Sequence, residues 1–185
     1  MIITKRYQRE NAVAYARAWA TDRNPLFVDF TGGGGDCTNF VSQCLLAGSC
    51  TMDYAEPYGW YYVSSNDRAP AWSGVEFLFD FLVGGGEFAP NDSRRGPFGH
   101  EVRMQQAQIG DVIQLARDGD FYHTLIITGI ERDDFLVSAH SDDALDRRLS
   151  SYSFDTMRLI HIDGVREELQ EEDCFKALID GISLP

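Results

Sequence analysis

The segment Gly32-Gly33-Gly34-Gly35-Asp36-Cys37-Thr38-Asn39-Phe40-Val41-Ser42-Gln43-Cys44 constrains this chain more than any other. A glycine run ends at a cysteine, and helical spacing begins right after it. Phe40, Val41, Cys44 and Leu45 form one apolar helix face. Asp36 is placed to cap that helix. Cys37 falls in its first turn, where free backbone N–H groups and the positive end of the dipole favour an anionic side chain. Glycines allow a substrate to approach the backbone closely. A helix that opens at a cysteine is the arrangement a thiol nucleophile needs. The commoner fate of a free cysteine is structural burial, and Cys44, Cys50 and Cys174 read that way. For Cys37, packing alone gives no reason for four preceding glycines, which cost backbone entropy.

A chain of 185 residues with 44% hydrophobic and 24% charged residues reads as one globular domain, residues 1–185, large enough for a real core. Its net charge of −13 argues against nucleic acid or an anionic membrane as a partner. No apolar run approaches the length of a membrane span. The N-terminal Met1-Ile2-Ile3-Thr4-Lys5-Arg6 has no signal-peptide core. The expectation is therefore a cytoplasmic protein, or a secreted or cell-wall one if an export signal has been removed. The four cysteines have no compact spacing, so no disulfide framework is expected. Neither a zinc-ligand spacing nor a phosphate-binding loop is present, and no metal or cofactor is expected.

The periodicity predicts a helix from Tyr7 to Arg23, stopped by Asn24-Pro25, and a second from Cys37 to about Ala47, with Gly48 at its end. Residues 49–72 are rich in aromatics, among them Trp60 and Trp72. Such a segment is either core or a ligand wall, and the ligand-wall reading makes both tryptophans candidates for the cleft. Gly74 to Val83 reads as a short buried helix ended by Gly84-Gly85-Gly86, and residues 87–100 as a loop. Four strands follow at 111–116, 122–128, 135–140 and 158–162. The first two are joined by the Asp118-Gly119 hairpin signal. An acidic amphipathic helix from about Val165 to Ile179 closes the chain. Helices followed by an antiparallel meander make an α+β pattern.

A cysteine nucleophile needs a base within hydrogen-bond reach and a third group that orients the base. His123 opens a strand directly after a tight turn, and His140 ends the next one. Adjacent strands can set the two side by side, so that His140 orients His123. Asp142 and Asp143 follow at once and are alternative third members. His161 alternates with apolar residues and reads as structural, and His100 has no evident partner.

Asp36-Cys37-Thr38-Asn39-Phe40-Val41 resembles the nucleophile stretch of NlpC-type cell-wall peptidases in the papain-like superfamily. Ile109-Gly110-Asp111-Val112-Ile113 is similar to their stretch before the histidine strand. A closer likeness is to the bacterial putative amidase domain family. It is carried by Tyr7-Gln8-Arg9-Glu10-Asn11-Ala12-Val13-Ala14-Tyr15-Ala16, by Gly35 to Leu45, and by Trp60 and Trp72. It continues through His123 to Thr128, Leu136 to Asp143 and Leu159-Ile160-His161-Ile162. The resemblance implies a papain-like α+β fold, N-terminal helices packed on an antiparallel meander. It also implies a cysteine hydrolase acting on an amide or peptide bond, with cell-wall peptide as the substrate class. Cys37 would attack, His123 would move the proton and His140 would orient it. Gly35, Asp36 and the backbone N–H of Cys37 would line the oxyanion side of the cleft. A silent binding module, or an acyltransferase, would keep the same residues.

Overall fold

The computed structural model describes residues 1–84, 94–168 and 173–185. It is an α+β structure in which helices pack on a seven-stranded sheet. The strands are β1 (Ile2–Lys5), β4 (Gly96–Glu101), β5 (Val112–Arg117), β6 (Asp120–Ile130), β7 (Phe135–Ala139), β8 (Ala144–Arg148) and β9 (Thr156–Glu168). Their order is β1-β9-β5-β6-β7-β8, with β4 also pairing β9, and every pairing is antiparallel. β5, β6 and β7 form the expected meander, and β8, a strand the periodicity does not predict, continues it. The strand containing Leu159 and Ile160 does not extend it but returns beside β5, with Val112 opposite Ile160. A small hairpin, β2 (Tyr62–Ser64) with β3 (Asp67–Arg68), stands apart.

Helix α1 spans Arg9–Trp19, shorter at both ends than the periodicity predicts. Tyr7 is drawn out of the helix because its buried ring donates from the hydroxyl to the Gly110 carbonyl at 3.2 Å. Asn24 ends the segment as a buried residue whose side-chain oxygen accepts from Leu26 N at 3.0 Å. Helix α2 spans Cys37–Ser49, and Cys50 rather than Gly48 takes the left-handed position that closes it. The short helices α3 (Pro70–Ser73) and α4 (Val75–Val83) follow, and α5 (Phe175–Ile179) closes the chain.

All thirteen residues of α2 are buried, the polar ones included. Burying them is tolerable only because each is satisfied. Thr38 Oγ1 lies 2.9 Å from Thr124 Oγ1. Ser42 Oγ donates to the Trp72 carbonyl at 2.8 Å and accepts from Trp60 Nε1 at 3.0 Å. Gln43 Oε1 accepts from Tyr15 OH at 2.7 Å, and Asn39 Oδ1 from Trp72 Nε1 at 2.8 Å. The tryptophans therefore belong to the core. Both are fully buried, their ring centroids 4.9 Å apart, and the cleft-wall expectation for Trp60 and Trp72 is corrected.

The sheet is buried on both faces. Val112, Ile126 and Ile160 join the helix-side core, while Ile113, Leu125, Ile127 and Leu159 join a second core on the other face. This is the period-two alternation of a strand. Two local predictions fail for the same reason, pairing with distant strands. The loop expected at 87–100 contains β4 from Gly96, and its residues 87–93, like Gly85 and Gly86, lie outside the described residues. The helix expected from Val165 is instead the end of β9, held by pairing with β1, where Lys5 faces Val165 and Ile2 faces Glu168. Among the described residues, that predicted helix is helical only over its last turn and a half, α5; residues 169–172 lie outside the described residues.

Cys50 and Cys174 are joined in a disulfide across 124 residues, tying the end of α2 to the start of α5. The sequence alone reads both as buried thiols. Nothing local signals a bridge of that span, because the fold alone brings the two Cα atoms to 5.5 Å.

Candidate active site

Cys37 is the first residue of α2 and is buried at 6% exposure. Gly34 and Gly35 lead into it with φ of +113° and +106°, backbone that a side chain would strain. That is the structural reason for the glycines. The Cys37 backbone N–H has no hydrogen-bond partner among the described residues, as expected of a first-turn amide.

Asp36 occupies the cap position, but its side chain makes no capping bond to the helix. Its carboxylate is fully buried and points elsewhere. Oδ1 accepts from Phe30 N at 2.9 Å and from Asn39 Nδ2 at 2.8 Å, and Oδ2 lies 2.5 Å from His140 Nδ1. Its backbone N–H donates to Ser141 Oγ. Asp36 thus positions the glycine loop, the helix and the β7–β8 connection together.

Cys37 and His123 line one cavity of about 400 Å³, together with Gly34, Gly35, Ser141 and Asp142. Arg117, Arg147, Tyr122, Tyr152 and Ser153 complete its wall. His123 is brought there by β6, three residues into the strand after the Gly119 turn. Its ring lies beside those of Tyr122 and Tyr152, at centroid distances of 6.1 and 6.0 Å. Among the described residues no hydrogen bond fixes its ring. Burial pushes its pKa down to about 4; the Asp142 carboxylate pulls it up and the Arg147 guanidinium pushes it further down. His123 is therefore neutral at physiological pH and able to accept a proton.

His140 does not orient His123. The β6–β7 register sets Ile126 opposite Ser138, so His140, two residues on, falls in step with Thr124 rather than with His123. Its ring stacks on Phe40 at 4.1 Å, Nδ1 meets Asp36, and Nε2 meets the Trp19 carbonyl at 2.8 Å and Arg23 Nη1 at 3.3 Å. Neither nitrogen is left for His123. Asp143 is likewise engaged, accepting from Arg23 Nη1 and Nη2 at 3.0 and 2.9 Å. Of the three candidate third members, Asp142 alone lines the cavity.

The remaining histidines lie elsewhere. His161 Nδ1 is 2.8 Å from Asp111 Oδ2, in a network where Arg9 Nη1 reaches Asp111 Oδ1 at 2.5 Å. The Gly110-Asp111 motif thereby anchors α1 to β5 and β9 rather than serving the cavity. His100 has a partner after all, Asp163 at 2.7 Å. The arginines and tyrosines of the cavity were missed in the sequence. Arg117, Tyr122, Arg147 and Tyr152 converge from the β5–β6 hairpin, β8 and the turn after it, and no linear spacing joins them.

No helix among the described residues is long and apolar enough to cross a membrane. The chain is 29% identical over 145 residues to a Bacillus subtilis (strain 168) protein named "Uncharacterized protein YhbB". The match covers 75% of this chain but 42% of that protein, so it spans less than half of that protein's length. No solved structure matches. The model of the family described as "Putative amidase domain" matches residues 6–162, from just before α1 through the part of β9 that pairs with β5, and the chain belongs to that family.

Proposed function

We propose that this domain hydrolyses an amide or peptide bond by cysteine chemistry of the papain-like kind, with Cys37 as nucleophile and His123 as general base. The observation that carries this reading is that the helix-opening cysteine and a neutral, buried imidazole share one cavity. His123 takes the thiol proton as sulfur attacks the carbonyl carbon. The free N–H of Cys37 is a donor for the oxyanion. The proton then returns from His123 to the leaving amine, and water releases the acyl group by the same steps in reverse order. Asp142 is the carboxylate that stabilises the imidazolium formed in between. Membership of an amidase family supports the bond type, and the place of Cys37 at the start of α2 supports the cysteine. A Cys50–Cys174 disulfide favours an oxidising compartment over the cytoplasm, which suits a cell-wall peptide as substrate.

The test is the kinetics of Cys37→Ala, His123→Ala and the double variant on model amides and cell-wall peptides. Because the pair acts as a unit, each single change should remove most of the rate and the double change little more. Activity surviving in Cys37→Ala would sink the mechanism. A folded protein that binds such peptides without turnover would point to a binding module, and acyl transfer to an added amine in place of water would mark an acyltransferase.

A further inference from the structure

The cavity has a character that the protein's overall charge conceals. In a chain of net charge −13, its wall carries two guanidinium groups and one carboxylate. Arg117 is steadied by its Nη2 donating to the Ser153 carbonyl at 2.7 Å, and it lies over the Tyr122 ring at 5.1 Å. Arg147 donates from Nε to Ser151 Oγ at 2.8 Å and lies over the Tyr152 ring at 4.0 Å. Its link to Asp142 is loose at 3.4 Å, and that aspartate side chain is 84% exposed. Neither arginine is therefore saturated by an acid among the described residues. A second feature also points to a ligand. The Tyr152 hydroxyl is buried and meets no hydrogen-bond partner among the described residues, so a donor on the cavity wall is unspent.

Resting on the nucleophile reading above, we infer that the cavity selects substrates bearing a carboxylate close to the scissile amide, held by Arg117 and Arg147 with Tyr152 as a further donor. Guanidinium groups are suited to this because their N–H forks match a carboxylate in two-point geometry. The cavity field would raise the local concentration of an anionic group beside Cys37 despite the repulsion of the protein as a whole. Acidic peptides would accordingly be preferred over the basic ones that the net charge alone suggests.

Two alkylating reagents differing only in charge test this without knowledge of the substrate. Iodoacetate and iodoacetamide both react by attack of the cysteine sulfur on the methylene carbon, forming a C–S bond as iodide leaves. The competing thiol is buried Cys44, whose pKa burial raises well above normal, since Cys50 and Cys174 are bonded. The ratio of the iodoacetate rate to the iodoacetamide rate at Cys37, read by mass spectrometry, should exceed the ratio for N-acetylcysteine by about tenfold. It should fall toward that reference in Arg117→Gln and Arg147→Gln, and in the unmodified protein as salt is added. Using a ratio cancels any effect of Arg147 on His123, which would move both rates together. Labelling by both reagents at the reference ratio would overturn the carboxylate preference and leave the nucleophile standing. Labelling by neither in the folded protein would overturn both readings.

Discussion

The Asp36 carboxylate and the His140 imidazole, fully buried, meet at 2.5 Å directly behind the residue that carries the thiol. The pair joins the glycine loop to the end of β7, while Phe40 of α2 stacks on the imidazole. It holds Cys37 in place without touching the cavity that Cys37 faces.

This arrangement separates two roles that the sequence could have assigned to the same histidine. Removing either partner leaves the other short of one buried hydrogen-bond partner, a loss of about 1–3 kcal/mol of stability. Asp36→Ala and His140→Ala should each cost that much in denaturant unfolding, and the double variant should cost less than their sum. The folded fraction of His140→Ala should keep the pH midpoint of the wild-type rate. A shifted midpoint would return His140 to the proton relay.

The depressed pKa of His123 has a defined pH consequence. The unfolded chain takes up the proton near the ordinary histidine value of about 6.5, the folded chain only at about 4. Between those values the unfolded state binds more protons, so stability falls as pH drops from about 6.5 to about 4 and does not depend on this group above that window. The acid limb of kcat/KM should lie near 4 for the same reason. Asp142→Asn should move the limb lower and Arg147→Gln should move it higher, as the signs of the two charges require. NMR titration of the His123 ring checks all three, and a midpoint at 6.5 in the folded protein would contradict the burial.

Trp60 lies fully buried between Ser42, Trp72 and Phe81, and its indole N–H is satisfied by the Ser42 hydroxyl. Trp60→Ala should therefore cost about 3–5 kcal/mol in unfolding experiments. Weakened substrate binding at unchanged stability would restore this ring to the cleft.

The local sequence determined the parts of the protein whose physics is local. A glycine run before Cys37 and the apolar repeat after it specify a backbone that only glycine adopts easily and a helix that begins at the thiol. The alternation in β5, β6 and β7, with Asp118-Gly119 between the first two, specifies a hairpin and its continuation. Tertiary structure decided what depends on pairing between distant residues. β9 runs through Val165 to Glu168 because β1, at the other end of the chain, offers it a partner, and a local period carries no trace of that. Cys50 and Cys174 bond for the same reason. The role of His140 turned on register: a strand's period of two makes one residue the difference between facing His123 and facing Asp36. The arginines of the cavity were invisible in the sequence because charge acts through space, and a chain of net charge −13 gives no sign of two guanidinium groups meeting one carboxylate in the cavity of Cys37.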